Sequence, residues 1–151
     1  MRKYNIHKLN ISDYSKCNNI WNMDNDPYTE PFRKEIENGN RTVFVYEENG
    51  KFIGEIAIVF DMRDSDYTIP KRRIYMSRLI VKSEYRNKGI GGVLIDYAIE
   101  KIKDLGYTEI SIGVDKDNTV ALHLYHKKVF TTVLFDGADE YGEYYKLLKT
   151  I

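Results

Sequence analysis

Seven residues, Arg86-Asn87-Lys88-Gly89-Ile90-Gly91-Gly92, join two regular patterns in this chain. Ahead of them, Ile74 to Val81 is an apolar run of strand length. Behind them, Val93 to Leu105 repeats apolar residues at three- and four-residue spacing, the period of an amphipathic helix. The chain must therefore pass from a central strand, through a basic glycine turn, into a helix. Glycine has no side chain to keep a ligand away from backbone N–H groups. The helix start adds unpaired donors and about half a positive charge. Arg86 and Lys88 add full charges, and a guanidinium suits two-pronged contact with phosphate. Strand, turn and helix together read as a pyrophosphate cradle.

The rest of the chain agrees with such a setting. At 151 residues it is long enough to bury a real core, and no repeat, linker or low-complexity tract divides it, so residues 1–151 are read as one domain. Tyr4, Ile6 and Leu9 alternate as a first strand. Asn10 or Ser12 caps a helix carrying Tyr14, Cys17, Ile20, Trp21 and Met23, which Asp26-Pro27 and Glu30-Pro31 break. A short second helix runs from Pro31 to Glu37. Asn49-Gly50 is a hairpin turn between strands at 42–46 and 51–60, followed by a polar loop at 61–71 and a strand at 73–81. After the central helix, Ile110, Ile112 and Val114 alternate as a strand, and Asp117-Asn118-Thr119 opens a helix to Lys127. Strands at 130–135 and 143–148 close the chain. The order β-α-α-β-β-β-α-β-α-β-β mixes hairpins with a crossover, which is an α+β class with a mixed sheet.

Bulk chemistry excludes several functions. Lysine plus arginine equals aspartate plus glutamate, 23 against 23, so no overall field recruits nucleic acid. Cys17 is the single cysteine, which rules out an intrachain disulfide and fits a cytoplasmic location. No apolar run approaches the roughly 20 residues of a membrane span, and the N-terminus does not read as a signal peptide. His123 and His126 lack metal-ligand spacing, so no metal site is expected. The Walker ending is absent after Gly91, and Leu94 stands where a dinucleotide fold needs its third glycine.

A second constellation lies one strand further on. Asn118-Thr-Val-Ala121-Leu-His-Leu124-Tyr125 places Ala121, Leu124 and Tyr125 on one helical face. Together the two segments resemble the GNAT superfamily of N-acetyltransferases. Arg86 to Gly91 match its acyl-CoA signature, Arg/Gln-x-x-Gly-x-Gly/Ala. Asn118 to Tyr125 match its second signature, Asn-x-x-Ala-x-x-Leu-Tyr, and 26 residues separate Gly91 from Asn118. The family usually continues with Gly-Phe where this chain has Val129-Phe130. The turn there must avoid positive φ or carry strain.

The resemblance implies a mixed, mostly antiparallel sheet of about seven strands with four flanking helices and a splayed cleft between the fourth and fifth strands. It implies acetyl-CoA as cofactor, with its pantetheine arm on the backbone of Leu79 and Val81 and its pyrophosphate on the N–H groups of Asn87, Lys88, Gly89, Ile90, Gly91 and Gly92, beside Arg86. Asn118 would reach the arm, against a helix-cap reading, and Lys128 would meet the 3′-phosphate, against a solvated one. Tyr125 would be the general acid to the leaving thiolate, against a core-packing role. A backbone N–H such as that of Val81 would steady the oxyanion.

Some members carry a catalytic glutamate where this chain has Tyr75. Glu55 and Asp61 are the carboxylates that could act as base, against a reading in which each is a charge on a solvent face. Asp61, Asp64 and Asp66 form one acidic loop cluster, offset by Arg63, Lys71, Arg72 and Arg73. The expected reaction is acetyl transfer to a small-molecule amine by a monomer or homodimer. A catalytically silent acyl-CoA sensor and a protein N-terminal or lysine acetyltransferase are the alternatives.

Overall fold

Asn49 and Gly50 both take positive φ, 55° and 76°, which is the backbone of the tight hairpin that the sequence announces. The computed structural model describes residues 3 to 151. Around that turn β2 (Arg41–Glu48) and β3 (Lys51–Val59) are sequential, and β1 (Tyr4–Lys8) pairs antiparallel with β2 from Tyr4↔Glu48 to Lys8↔Phe44. The remaining strands are β4 (Arg73–Val81), β5 (Glu109–Asp115), β6 (Thr132–Asp139) and β7 (Gly142–Thr150). The α-helices are α1 (Thr29–Glu37), α2 (Ile90–Asp104) and α3 (Thr119–Lys127). The seven strands form one mixed sheet in the order β1-β2-β3-β4-β5-β7-β6. β4 and β5 run parallel, whereas β5 with β7 and β6 with β7 run antiparallel.

The chain divides into two compact units. One comprises Met1–Ile58 and Arg78–Ile99, the other Val59–Ser77 and Glu100–Ile151. The first buries a cluster of Leu9, Tyr14, Cys17, Ile20, Met23, Val43, Val45, Phe52 and Ala57, with Trp21, Ile36 and Ile80 packed against it. In the second, Ile110 and Ile112 of β5, Leu147 of β7 and Phe130 are essentially fully buried.

Three local expectations are corrected. The first helix is a 3-10 helix over Ile11–Asn19, and a separate 3-10 turn spans Met23–Asn25. Asn10 caps it through Ser12 N at 3.1 Å, as expected, but Ser12, Asp13, Ser15, Asn18 and Asn19 are short polar side chains that compete for backbone groups. The segment tightens to i→i+3 bonds such as Ile20 N–H to Cys17 C=O at 2.8 Å. In α1, Glu30-Pro31 is no break. The helix starts at Thr29, and Pro31 sits in its first turn, where no N–H is needed. The sixth strand also begins later than the pattern suggests. Phe130 donates its N–H to Tyr125 C=O at 3.0 Å, and pairing starts at Thr132↔Leu148.

Val129, where the family usually has glycine, takes φ +69° at the end of α3. A β-branched residue there costs about 1–2 kcal/mol. The side chain is exposed, so it gains little packing in return. Val129→Gly should raise stability by about 1 kcal/mol after glycine's own entropy loss, and thermal unfolding should shift upward by roughly 2–4 °C. A lowered midpoint would show that the Val129 side chain contributes more than its backbone costs.

Candidate active site

The turn after β4 is built by the chain itself. Lys82 donates its N–H to Ile53 C=O at 2.8 Å and its Nζ to Asn19 Oδ1 at 2.9 Å, which fixes the end of the strand. A 3-10 turn, Ser83–Tyr85, follows. Arg86 folds back so that Nε donates to Val81 C=O at 3.0 Å. Asn87 and Gly89 then take positive φ, 61° and 82°. Gly89 C=O accepts from Val93 N–H at 3.2 Å, so α2 starts at Ile90 and the N–H groups of Ile90, Gly91 and Gly92 have no intrahelical partner. Alternating backbone of this kind turns consecutive N–H groups toward one concavity, an anion-binding nest. Lys88 stands at the turn with its Nζ 5.3 Å from the Tyr85 ring centroid.

Ile90 anchors the turn in the core. It can do so because Gly54 of β3 leaves room: a Cβ there would stand 3.2 Å from Leu94 Cδ1, 3.4 Å from Ile80 C=O and 3.5 Å from Ile90 Cγ2. Sequence reasoning missed Gly54, whose only signal was a glycine inside a strand pattern.

The β4–β5 ladder runs over Arg73↔Glu109, Ile74↔Ile110 and Tyr75↔Ser111, and β4 continues beyond it from Met76 to Val81. Leu79 and Val81 lie in this continuation and are half-buried. It contains a second residue that the sequence did not flag. Arg78 takes φ +55° inside the strand, a strained backbone worth about 1–3 kcal/mol. An arginine just before the apolar end of the strand was the available signal.

Tyr125, on α3, is 9% exposed and packs edge-on to Phe130 at 5.8 Å. Its hydroxyl is pushed up to about 12, first by burial and then by Tyr75, so it stays a phenol at neutral pH. Tyr75 stacks obliquely on Tyr67 at 4.5 Å, and the Tyr67 hydroxyl lies where a Cβ on Gly113 would come within 2.6 Å of it. Asn118 caps α3, its Oδ1 accepting from Ala121 N–H at 3.2 Å. Lys128 forms the C-cap of the same helix.

The two candidate bases differ sharply. Asp61 is exposed after β3 and accepts from Arg63 N–H at 2.8 Å. Glu55 is not on a solvent face: it is 5% exposed, and its Oε1 accepts from Trp21 Nε1 at 2.6 Å. Burial pushes its carboxyl above the ordinary range. The Trp21 N–H, the Arg78 and Arg41 charges and the Cys17 thiol oppose that shift. Burial and Glu55 drive the Cys17 thiol upward, so it stays protonated and is no nucleophile.

The acidic loop is also neutralised differently from expectation. Lys146 Nζ bonds Asp64 at 2.9 Å and Asp66 at 3.1 Å, which holds Asp64 low. Arg72 and Arg73 instead pair with Glu109. The net result is a tied loop rather than an open anionic rim. No group of three His, Cys, Asp or Glu side chains suited to a metal occurs among the described residues. No helix among them is long and apolar enough to cross a membrane.

With this geometry in place, comparison with known proteins is informative. A model of the acetyltransferase (GNAT) family matches residues 4–129, and the chain belongs to that family. Streptothricin acetyltransferase A of Bacillus subtilis is 25% identical over 119 residues, which are 75% of this chain and 66% of that protein. The match thus spans just under two thirds of that relative's length. An N-acetyltransferase from Staphylococcus aureus Mu50 shares the fold with a TM-score of 0.76 at 20% identity, covering 98% of both chains. A GNAT family acetyltransferase from Elizabethkingia anophelis, solved with acetyl-CoA bound, does so with 0.75 at 18% identity, again covering 98% of both.

The raised Glu55 carboxyl has a sign that can be tested. Above about pH 4.3, the ordinary glutamate value, the folded chain holds this proton more firmly than the unfolded chain does. Wild-type stability from this group is therefore full below that value and is lost as pH rises through the folded-state value. Glu55→Gln keeps an acceptor for Trp21 and does not titrate. Its stability relative to wild type should climb with pH across that window and then level off in urea unfolding series. A difference that ignores pH would mean that Glu55 titrates normally.

Proposed function

We propose that this chain transfers the acetyl group of acetyl-CoA directly to a primary amine of a small molecule. The observation that carries the reading is the turn at 86–92. It joins positive-φ backbone at Asn87 and Gly89, a helix start with three N–H groups that lack an intrahelical partner, and a tethered arginine, in a chain of the acetyltransferase family. The N–H groups of residues 87 to 92 suit the pyrophosphate, and Arg86 and Lys88 supply charge. The acetyl-CoA bound to the Elizabethkingia protein of the same fold supports this cofactor. The likeness to streptothricin acetyltransferase A of Bacillus subtilis supports a small-molecule acceptor. The lone, buried Cys17 fits work in the reducing cytoplasm.

Bound there, acetyl-CoA supplies an activated acyl thioester. The backbone of Leu79 and Val81, in the continuation of β4 past its ladder with β5, takes the pantetheine arm as an added strand. The Val81 N–H faces the acyl oxygen as charge develops on it. Tyr125 donates its phenolic proton to the leaving sulfur, and its raised pKa keeps that proton available at neutral pH. Asn118 contributes its amide from the start of α3, and Lys128 serves the nucleotide phosphate. The amine arrives deprotonated from solvent, and exposed Asp61 takes the released proton through water.

Two variants separate binding from chemistry. Nothing lies within 4 Å of a Cβ built on Gly89, so Gly89→Glu meets no neighbour, yet it sets a carboxylate in the nest. Calorimetry should show CoA affinity falling by at least about 100-fold, and normal binding would refute the phosphate assignment. Tyr125→Phe should lower kcat by about 10²–10⁴-fold with the KM for acetyl-CoA little changed. Unchanged turnover would remove Tyr125 as the acid. Release of free thiol with a panel of streptothricin, an aminoglycoside, spermidine and a lysine peptide identifies the acceptor. Turnover of the peptide alone would replace the small-molecule reading with protein acetylation.

A further inference from the structure

The loop before β4 is tied more firmly than a surface connection needs. Arg73 Nη1 donates to the carbonyls of Ser65 and Asp66 at 3.0 and 3.1 Å. Ser111 Oγ donates to Tyr67 C=O at 2.6 Å from a fully buried position on β5. Lys146 reaches Asp64 and Asp66 from β7. Side chains of three strands thus fasten residues 64–67, and the backbone of Tyr67 is fixed.

The Tyr67 ring has a prepared seat. Tyr75 is in register with Ser111, and Lys146 with Gly113, so these four positions share one face of the sheet. There Tyr67 packs on Tyr75 at 4.5 Å between centroids, tilted by 47°, and Lys146 Nζ lies 4.9 Å from the Tyr67 ring. The Tyr67 hydroxyl fills the space over Gly113 that a side chain would take. A Cβ on Gly113 would meet that oxygen at 2.6 Å, but the nearest ring carbons only at 3.5 and 3.6 Å. A glycine inside a strand weakens the strand and marks a close approach, and here Tyr67 makes it. On the opposite face Ile74, Met76, Ile110 and Ile112 are buried, whereas Tyr67, Tyr75 and Gly113 are only half-buried. The stack therefore lies outside the hydrophobic core.

Tyr75 links the stack to the acid. After burial, Tyr75 is the first group that pushes up the hydroxyls of both Tyr67 and Tyr125, so its phenol lies near each of them. A reacting group misplaced by about 1 Å loses about 100-fold in rate.

We propose that Tyr67, seated on Gly113, is a positioning residue that holds Tyr75 and, through it, the acid Tyr125 in place. The inference rests on the acetyl-transfer reading above, with Tyr125 as proton donor to the leaving sulfur. It gives the tied loop and the strand glycine a common task.

The test follows free-thiol release from acetyl-CoA, with the best amine of the panel and with water alone as acceptor, since both need the thiolate protonated. Tyr67→Leu removes the stack, and Gly113→Ala drives the hydroxyl from its seat. Each should lower kcat about tenfold, with the KM for acetyl-CoA within about twofold. Tyr67→Phe keeps the ring and should restore most of the kcat lost in Tyr67→Leu. It should also rescue Gly113→Ala, because the oxygen that the new Cβ meets is gone. In a Tyr125→Phe background, Gly113→Ala should change kcat by less than about twofold, since the acid it disturbs is already absent. A full tenfold loss in that background would make the effect merely structural and overturn the inference. Failure of Tyr67→Phe to rescue Gly113→Ala, or a parent-like kcat in Gly113→Ala, would overturn it too. Calorimetric CoA binding to the parent separates the two levels of argument. A parent that binds no CoA sinks acetyl transfer itself, and the inference falls with it. A parent that binds CoA and releases thiol, with variants that fail these outcomes, sinks only the role of Tyr67.

Discussion

The turn at 86–92 is organised around a few backbone N–H groups that its geometry leaves without an intrahelical partner. Asn87 and Gly89 hold positive φ, and α2 begins directly after them, so its first donors have no carbonyl to meet. Orphan donors are tolerated only where an anion or water takes their place. The surroundings serve that arrangement: Arg86 is tied to the last carbonyl of β4, Lys82 is tied to β3, and Gly54 lets Ile90 and Leu94 seat the helix.

Buried charge is the second organising theme, and each unit handles it separately. In the first, Glu55 is surrounded by Trp21, Cys17, Arg41 and Arg78, and the balance of burial against these partners leaves its carboxyl raised. In the second, Lys146 is 8% exposed yet keeps its charge, because Asp64 and Asp66 both bond its ammonium and the rings of Tyr67 and Phe135 lie at 4.9 and 5.0 Å. An unpaired charge at that depth would be far more costly than either arrangement. Both clusters therefore hold polar side chains in fixed places.

Most of the strand order and the two signature segments were legible in the sequence, because their signals are local. Alternation at Ile110, Ile112 and Val114, the Asn49-Gly50 turn and the capped start at Asn118 each depend on residues a few positions apart. The failures were also local in kind. Short polar side chains turned an expected α-helix at 11–19 into a 3-10 helix, and the second helix begins at Thr29, two residues before its expected start at Pro31. The mismatch at Val129 was visible as a choice between avoiding positive φ and carrying strain, and the structure carries the strain.

By itself the sequence determined the α+β class, the glycine turn at 86–92, the α3 signature with Tyr125 and the balanced net charge. All of these follow from period, spacing and charge, which are properties of neighbouring residues. Only the tertiary structure decided that Glu55 is buried against Trp21, that Arg78 breaks the pleat of β4 and that Lys146 neutralises the acidic loop. Trp21 and Glu55 are separated by 34 positions, and Lys146 and Asp64 by 82. Pairs so distant meet only when strands and helices close the intervening chain, and burial then changes the chemistry of a group that the sequence shows only as a letter.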